Sequence, residues 1–356
     1  MTELEIKDYL QQAAARAGAA VAKVRKEDSL VFLAFSDLHI RTADESWAEN
    51  LLLALEAVDA ATSPDYVVNL GDNPNMLGRE SHITNPALSA LLTELFDRMQ
   101  AAVRCPLLLI HGNHDGPGTD FFMPDFWNAV VKGRYGHDKV VYGEEGSWCY
   151  LDVPGKQVRL VMLSLPFDSD VERSIPTPCW RFGNAQLQWL ANVALDTADP
   201  VILLVHVPLF YEYTGDRESM LGIWTGQRAA ESYIKDLCGE IADRDVAIGI
   251  LQAFHNHETY IREDLGICLK ASPSGAKLTG CFSGHNHIDS LWMPGETRGV
   301  RVNQLPCKQV VTKAFAINYG DQQGVGMAID VVVWTPSEGV FHLFRVGDGE
   351  DRTFTE

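Results

Sequence analysis

The chain has 356 residues, 46% of them hydrophobic and 22% charged, which is the balance of a globular protein with room for one large α/β domain or two ordinary ones. Its formal net charge of −19 argues against a long nucleic acid as partner, because affinity for a polyanion comes from basic surface that displaces counterions. Lys23, Arg25 and Lys26 form one small basic group, no apolar run is long enough to span a bilayer, and the first thirty residues carry charges instead of a secretory core, so the expectation is a cytoplasmic protein with no membrane partner.

The elements then follow in chain order. Residues 3–26 read as an Ala-rich helix with Leu4, Tyr9, Leu10 and Ala14 along one stripe. Residues 1–28 are accordingly read as a helical extension packed on a main domain at 29–345, with 346–356 as a C-terminal tail. The continuous apolar run Leu30–Phe35 has the pattern of a strand buried on both faces, and it delivers Asp37-Leu38-His39. A helix over 47–61 leads to a strand over 66–70, ending at Gly71-Asp72-Asn73. A helix over 86–102 leads to a strand over 107–110, ending at His111-Gly112-Asn113-His114-Asp115. Strands are expected over 142–153 and 157–165, joined at Pro154-Gly155. A helix over 184–195 leads to a strand over 201–205, ending at His206. Gly284-His285-Asn286-His287 comes later, and strands over 331–334 and 340–344 close the chain. Strands alternating with helices imply βαβ units and largely parallel pairing, and in such sheets ligands gather beyond the carboxyl ends of the strands. Motifs far apart in sequence are therefore expected to converge.

What they bring is a nitrogen and oxygen donor set without sulfur: Asp37, His39, Asp72, Asn113, His206, His285 and His287. That set suits two divalent ions such as Mn, Fe, Zn or Co better than a closed thiolate site. Asp37 and His39 occupy alternate positions just past a strand, so both can turn toward one ion. Asp72 is the best bridging candidate, since a carboxylate can hold two cations about 3.5–4 Å apart. Asn113 offers a neutral carbonyl oxygen that adds no charge to repel phosphate. The seven cysteines are scattered, odd in number and never spaced C-x-x-C, and they read as buried free thiols.

The series D-x-H, G-D, G-N-H-D, H, G-H-x-H, spread over about residues 30–290, resembles the calcineurin-like metallophosphoesterases. The resemblance implies an α/β fold: a four-layer sandwich of two mixed β-sheets flanked by helices. It implies one ion held by Asp37, His39, Asp72 and His287, and a second by Asp72, Asn113, His206 and His285. It implies that His114 is a general acid or a donor to the phosphoryl oxygens, that Asp115 orients His114, and that a hydroxide bridging the ions attacks phosphorus in line. The expected activity is hydrolysis of a small phosphomonoester or phosphodiester. Gly71-Asp72-Asn73-Pro74-Asn75 departs from the G-D-x-V-D-R-G of phosphoprotein phosphatases, and Asn75 stands where purple acid phosphatases place a metal-binding Tyr. What remains looks like the broad group that includes bacterial-type phosphodiesterases.

Other features carry less. His255-Asn256-His257 imitates the last motif, but Phe254 replaces its glycine and the expectation is a surface helix or loop. His111 reads as a supporting residue, and His82, His137 and His342 as surface residues. The aromatic stretch 209–224, with Tyr211, Tyr213, Trp224 and Arg217, reads equally as a substrate lid or a packed loop. A catalytically silent protein-binding module is disfavoured by the intact ligands and His114, and a nuclease of the same fold by the acidic balance. The sequence gives no sign of oligomeric state.

Overall fold

The computed structural model describes residues 3–40, 46–74, 85–112, 114–115, 124–135, 139–143, 147–164, 181–212, 243–298, 301–315 and 327–356. Two large mixed sheets dominate it. In the six-stranded sheet, Leu30–Phe35 runs parallel to Tyr66–Asn69, which runs parallel to Leu107–Leu109. On its other side Leu30–Phe35 pairs antiparallel with Ala328–Thr335, followed by Val340–Gly347 and Arg352–Thr355. In the seven-stranded sheet Val201–Val205 lies between Arg159–Leu163 and Leu278–Ser283, all parallel, with Lys308–Val311 parallel beyond. Antiparallel strands finish both edges.

Alternation along the apolar strands explains the layering. Val31, Leu33 and Phe35 pack with Leu10, Ala14, Leu51, Leu55 and Leu95 from the helices, while Leu30, Phe32 and Ala34 join Ile202, Leu204 and Phe282 between the sheets. Val201, Leu203 and Val205 likewise face the second helical layer, with Leu190, Ile250 and Phe254. Successive side chains point to opposite faces of a strand, so a run apolar at every position needs cover on both sides. The result is helices, sheet, sheet, helices, which is the expected four-layer sandwich.

The N-terminal helix Glu3–Val24 belongs to that cover. Leu10, Ala14, Ala17 and Val21 are buried in the same core as Ala54, Leu55 and Val58 of helix Ser46–Thr62. Gly18 makes the approach close, since a Cβ there would stand 2.6 Å from the Ala61 carbonyl oxygen.

Three elements differ from expectation. The strand expected over 142–153 is two antiparallel strands, Val140–Tyr142 and Cys149–Asp152. The chain reverses where Gly143 N donates to the Trp148 carbonyl at 3.0 Å, and a Cβ on Gly143 would collide with the Trp148 indole. Helix Gly183–Trp189 continues as a π-helical turn, Leu190–Ala194. The segment expected as a tail contains the edge strand Arg352–Thr355, held because Phe354 stacks on Phe341 at 5.1 Å. No described helix is long and apolar enough to cross a membrane. The five described cysteines are free, and four of them are buried.

Candidate metal centre

Five strands of the two sheets end at one place. Leu30–Phe35 leads to Asp37 and His39, Tyr66–Asn69 to Asp72, Leu107–Leu109 to His114 and Asp115, Val201–Val205 to His206, and Leu278–Ser283 to His285 and His287. Backbone bonds lace these loops together: Asp37 N to Gly71 O at 2.9 Å, His39 N to Asp72 O at 3.2 Å, and Gly284 N to His206 O at 2.9 Å. Among the described residues, seven other than glycine have left-handed backbone. Five are expected ligands: Asp37, His39, Asp72, His285 and His287. Each such residue costs on the order of 1–3 kcal/mol and persists where its surroundings over-determine it, which is typical of ligand-holding sites. Here the left-handed turn reverses the chain just past the strand and points the side chain inward.

The side chains converge as three overlapping groups whose ligand atoms lie within 4.8 Å of one another: Asp37 with His39 and His287, His39 with Asp72 and His114, and Asp72 with His206 and His285. His287 Nε2 is 3.0 Å and His39 Nε2 3.6 Å from Asp37 Oδ1, and those two nitrogens are 3.1 Å apart. His206 Nε2 stands 3.0 Å from Asp72 Oδ2, while its Nδ1 faces the Leu70 carbonyl at 2.8 Å. That backbone contact leaves Nε2 as the free lone pair of the neutral ring. Asp37 Oδ1 and His206 Nε2 are buried without an aligned hydrogen bond, so these groups stand side by side as donors facing a shared cation do. Asp37, Asp72 and His206 are fully buried, whereas His114 and His287 are 20% and 24% exposed. The centre therefore opens to solvent on the His114 and His287 side.

The electrostatics agree with a cation site. Burial disfavours charge on Asp37, but His287 and His39 outweigh it and hold the carboxyl well below its ordinary range. Asp72 is likewise held low against burial by His206 and His114. Burial works against a charged His206, yet Asp72 and Asp37 raise it to about 9. His39 is also raised, its desolvation overcome by Asp37 and Asp72. Protons on imidazoles balance the carboxylates in the metal-free protein, and divalent ions would replace those protons. The donor set and its charges fit divalent metals.

His114 and Asp115 separate in role. Burial lowers the His114 pKa, which favours the neutral imidazole, and its backbone N donates to Asp72 Oδ1 at 2.8 Å. The expectation was that Asp115 orients the His114 ring; the hydrogen bonds of its carboxylate go to the loops around it. Its Oδ2 accepts from Gly112 N at 2.7 Å and Asp72 N at 2.9 Å, and its Oδ1 from Asn73 N and Nδ2 at 2.9 and 3.0 Å. Four donors occupy both oxygens, so the carboxylate pins two ligand loops. Burial and the Asp72 charge push its pKa up to about 6.

The sequence assigned no role to Asn69 or to Asn73 of the Gly71-Asp72-Asn73 motif. Both are fully buried; Asn69 accepts from Gly71 N at 2.9 Å and donates to Asn73 Oδ1 at 2.5 Å. An asparagine closing an otherwise apolar strand was the available signal. Asn113, residues 213–224 with Arg217, and His82 and His137 lie outside the described residues. Phe210–Glu212 forms a strand against Arg301–Asn303. His255 ends helix Arg244–His255 with Nδ1 at the Leu278 carbonyl, and His257 is exposed beside Ser272.

His111 packs edge-on to Trp127 with ring centroids 4.9 Å apart, and burial pushes its pKa down to about 3. A depressed folded pKa favours the neutral ring, so its contribution is present above the unfolded value of about 6.5 and fades as pH falls toward 3. In metal-free protein, His111→Phe should flatten the loss of stability between about pH 6.5 and 3 by around a kcal/mol or more. Urea unfolding at a series of pH values measures it; identical slopes would refute it.

The layered sandwich and the Asp/His cluster at its strand ends define a metallophosphoesterase fold with a candidate metal centre. Residues 30–239 match the calcineurin-like phosphoesterase family model; the match spans more than half of the chain, which therefore belongs to that family and is a phosphoric ester hydrolase. A dimetal phosphatase from Danio rerio is similar in structure, with a TM-score of 0.53 at 12% identity over 92% of this chain and 98% of that one. The structure of PhoD gives a TM-score of 0.50 at 11% identity over 93% of this chain and 69% of that one. At such identities the likeness shows the fold. No protein with a curated description matches the sequence.

Proposed function

We propose that the chain hydrolyses a small phosphomonoester or phosphodiester with two divalent cations, Mn, Fe, Zn or Co. Asp37, His39, Asp72 and His287 would hold one ion, and Asp72, His206, His285 and Asn113 the other. The observation that carries this reading is the position of Asp72, which the group containing His39 shares with the group containing His206 and His285. Bound divalent ions supply a water whose pKa falls to about 7 and neutralise charge on the phosphoryl oxygens.

The chain's own residues do the rest. The loops hold the ligands at fixed spacing, so little reorganisation remains when charge develops on the ester. His114, on the open side of the centre, donates a hydrogen bond to a phosphoryl oxygen from its neutral ring, or a proton to the leaving oxygen from the fraction of the ring that is protonated. Asp115 fixes Gly112 and Asp72, and so sets where the His114 loop stands. The net charge of −19 supports a small phosphorylated substrate over a long nucleic acid.

The test is hydrolysis of p-nitrophenyl phosphate and bis-p-nitrophenyl phosphate by metal-stripped protein, before and after refilling with Mn. Stripping should cost at least about a hundredfold in rate, since the ions contribute several kcal/mol to the transition state. Refilling should restore the rate and stabilise the fold by about 2.7 kcal/mol at a hundred times the dissociation constant. The preferred ester separates monoesterase from diesterase. Two bound ions with no turnover of either ester would point to a narrower natural substrate, and no bound ion would sink the reading.

A further inference from the structure

Left-handed ligand loops need external supports, and the two sides of the centre have different ones. On the Asp72 side the support is the Asp115, Asn73 and Asn69 lattice already described. On the Asp37, His39 and His287 side there is a box of four charges, two of them buried and two partly exposed. Asp289 lies two residues beyond His287. Arg345 Nη2 reaches Asp289 Oδ1 at 2.7 Å and Asp330 Oδ1 at 3.0 Å, and Arg352 Nη2 reaches Asp289 Oδ1 at 2.9 Å and Asp330 Oδ2 at 3.2 Å. Arg345 and Asp330 are fully buried, and the Arg352 and Asp289 side chains are 14% and 22% exposed.

The box also reaches the Asp37 loop. Thr312 Oγ1 donates to Asp330 Oδ2 at 3.3 Å. Thr312 N holds the Ser283 carbonyl at 2.8 Å, just before the His285 loop, and Phe315 N holds the Ser36 carbonyl at 2.8 Å, just before Asp37. Asp330 itself pairs in register with Ala34. A buried ion-pair network is a poor source of stability, since apolar residues of equal volume often do as well. What two arginines shared by two carboxylates do provide is a fixed position for each carboxylate.

We infer that the box of Asp289, Arg345, Asp330 and Arg352 positions the side of the centre formed by Asp37, His39 and His287, while the Asp115 lattice positions Asp72. The inference rests on the ligand assignment proposed above. Asp289 and Arg352 are positioning residues: they touch no ligand donor atom and act through the chain that carries His287.

Calorimetric titration of Mn into the metal-stripped full-length protein tests it. Asp289→Asn and Arg352→Gln should weaken one of the two ions about 10- to 100-fold, the usual effect of losing an outer support, and leave the other unchanged. Arg352→Lys, which keeps the charge but not the fork, should fall between. In a His39→Ala background, which lacks that half-site, Asp289→Asn should change nothing further. Circular dichroism of the metal-free variants should match the wild type. Equal weakening of both ions, weakening of the ion that survives His39→Ala, or no weakening would overturn the inference while the ligand assignment stands. A wild type that takes up no Mn would overturn both.

Discussion

Asp72→Asn is expected to abolish hydrolysis while the protein stays folded, with activity down by at least about a thousandfold, the upper range for loss of one preorganised electrostatic group. The substitution is isosteric, and the amide Oδ1 can still accept from His114 N, a bond of 2.8 Å in the native protein. Loop geometry is thus retained and the negative charge alone is lost. Asp72 is the carboxylate common to two ligand groups, so under the proposed assignment its charge would serve both ions. The variant should retain at most one weakly held Mn per chain by elemental analysis of desalted protein. His206 supplies an independent readout: Asp72 is the largest influence raising it to about 9 against burial, so its proton should leave at lower pH in the metal-free variant, as followed by NMR. Two tightly held ions in Asp72→Asn would remove Asp72 from the bridging role.

His114→Ala should behave differently, keeping both ions and losing rate. The ring is not in the proposed ligand set, and the backbone bond to Asp72 survives the substitution. A positioned acid or donor contributes about 10²–10⁴ in rate. If the ring protonates the leaving oxygen, the loss should be largest with alkyl esters and much smaller with p-nitrophenyl esters, whose leaving group carries its own negative charge. A loss of equal size for both leaving groups assigns the ring to the phosphoryl oxygens. Rates unchanged on both would remove His114 from the chemistry.

The alternation of helix and strand and the burial of Leu30–Phe35 and Val201–Val205 on both faces were legible in the sequence, because they depend on local hydrophobic pattern. So were the candidate ligands: Asp37, His39, Asp72, Asn113 and His206 each stand one to four residues past a strand that the pattern marks, whereas His285 and His287 were legible as a motif only, and the strand Leu278–Ser283 that delivers them was seen in the structure. The break at Gly143 was missed although a signal was present: Gly143-Glu144-Glu145-Gly146-Ser147 separates the apolar residues on either side, a composition that marks a loop. The edge strand Arg352–Thr355 was not legible, because Phe354 is one apolar residue in a polar segment and its partner Phe341 must be folded beside it.

The residue types of the centre and their chain order were thus determined by the sequence alone, since donor chemistry and the turn out of a strand are local properties. The supports were decided by tertiary structure. Asp115 is next to His114 in the chain, yet it bonds to the backbone of Asp72 and Asn73, 43 and 42 residues away. Asp289 meets Arg345, 56 residues on. A hydrogen bond or ion pair between distant residues leaves no periodicity in the sequence, because its geometry exists only once both sheets have packed and the loops between them are fixed.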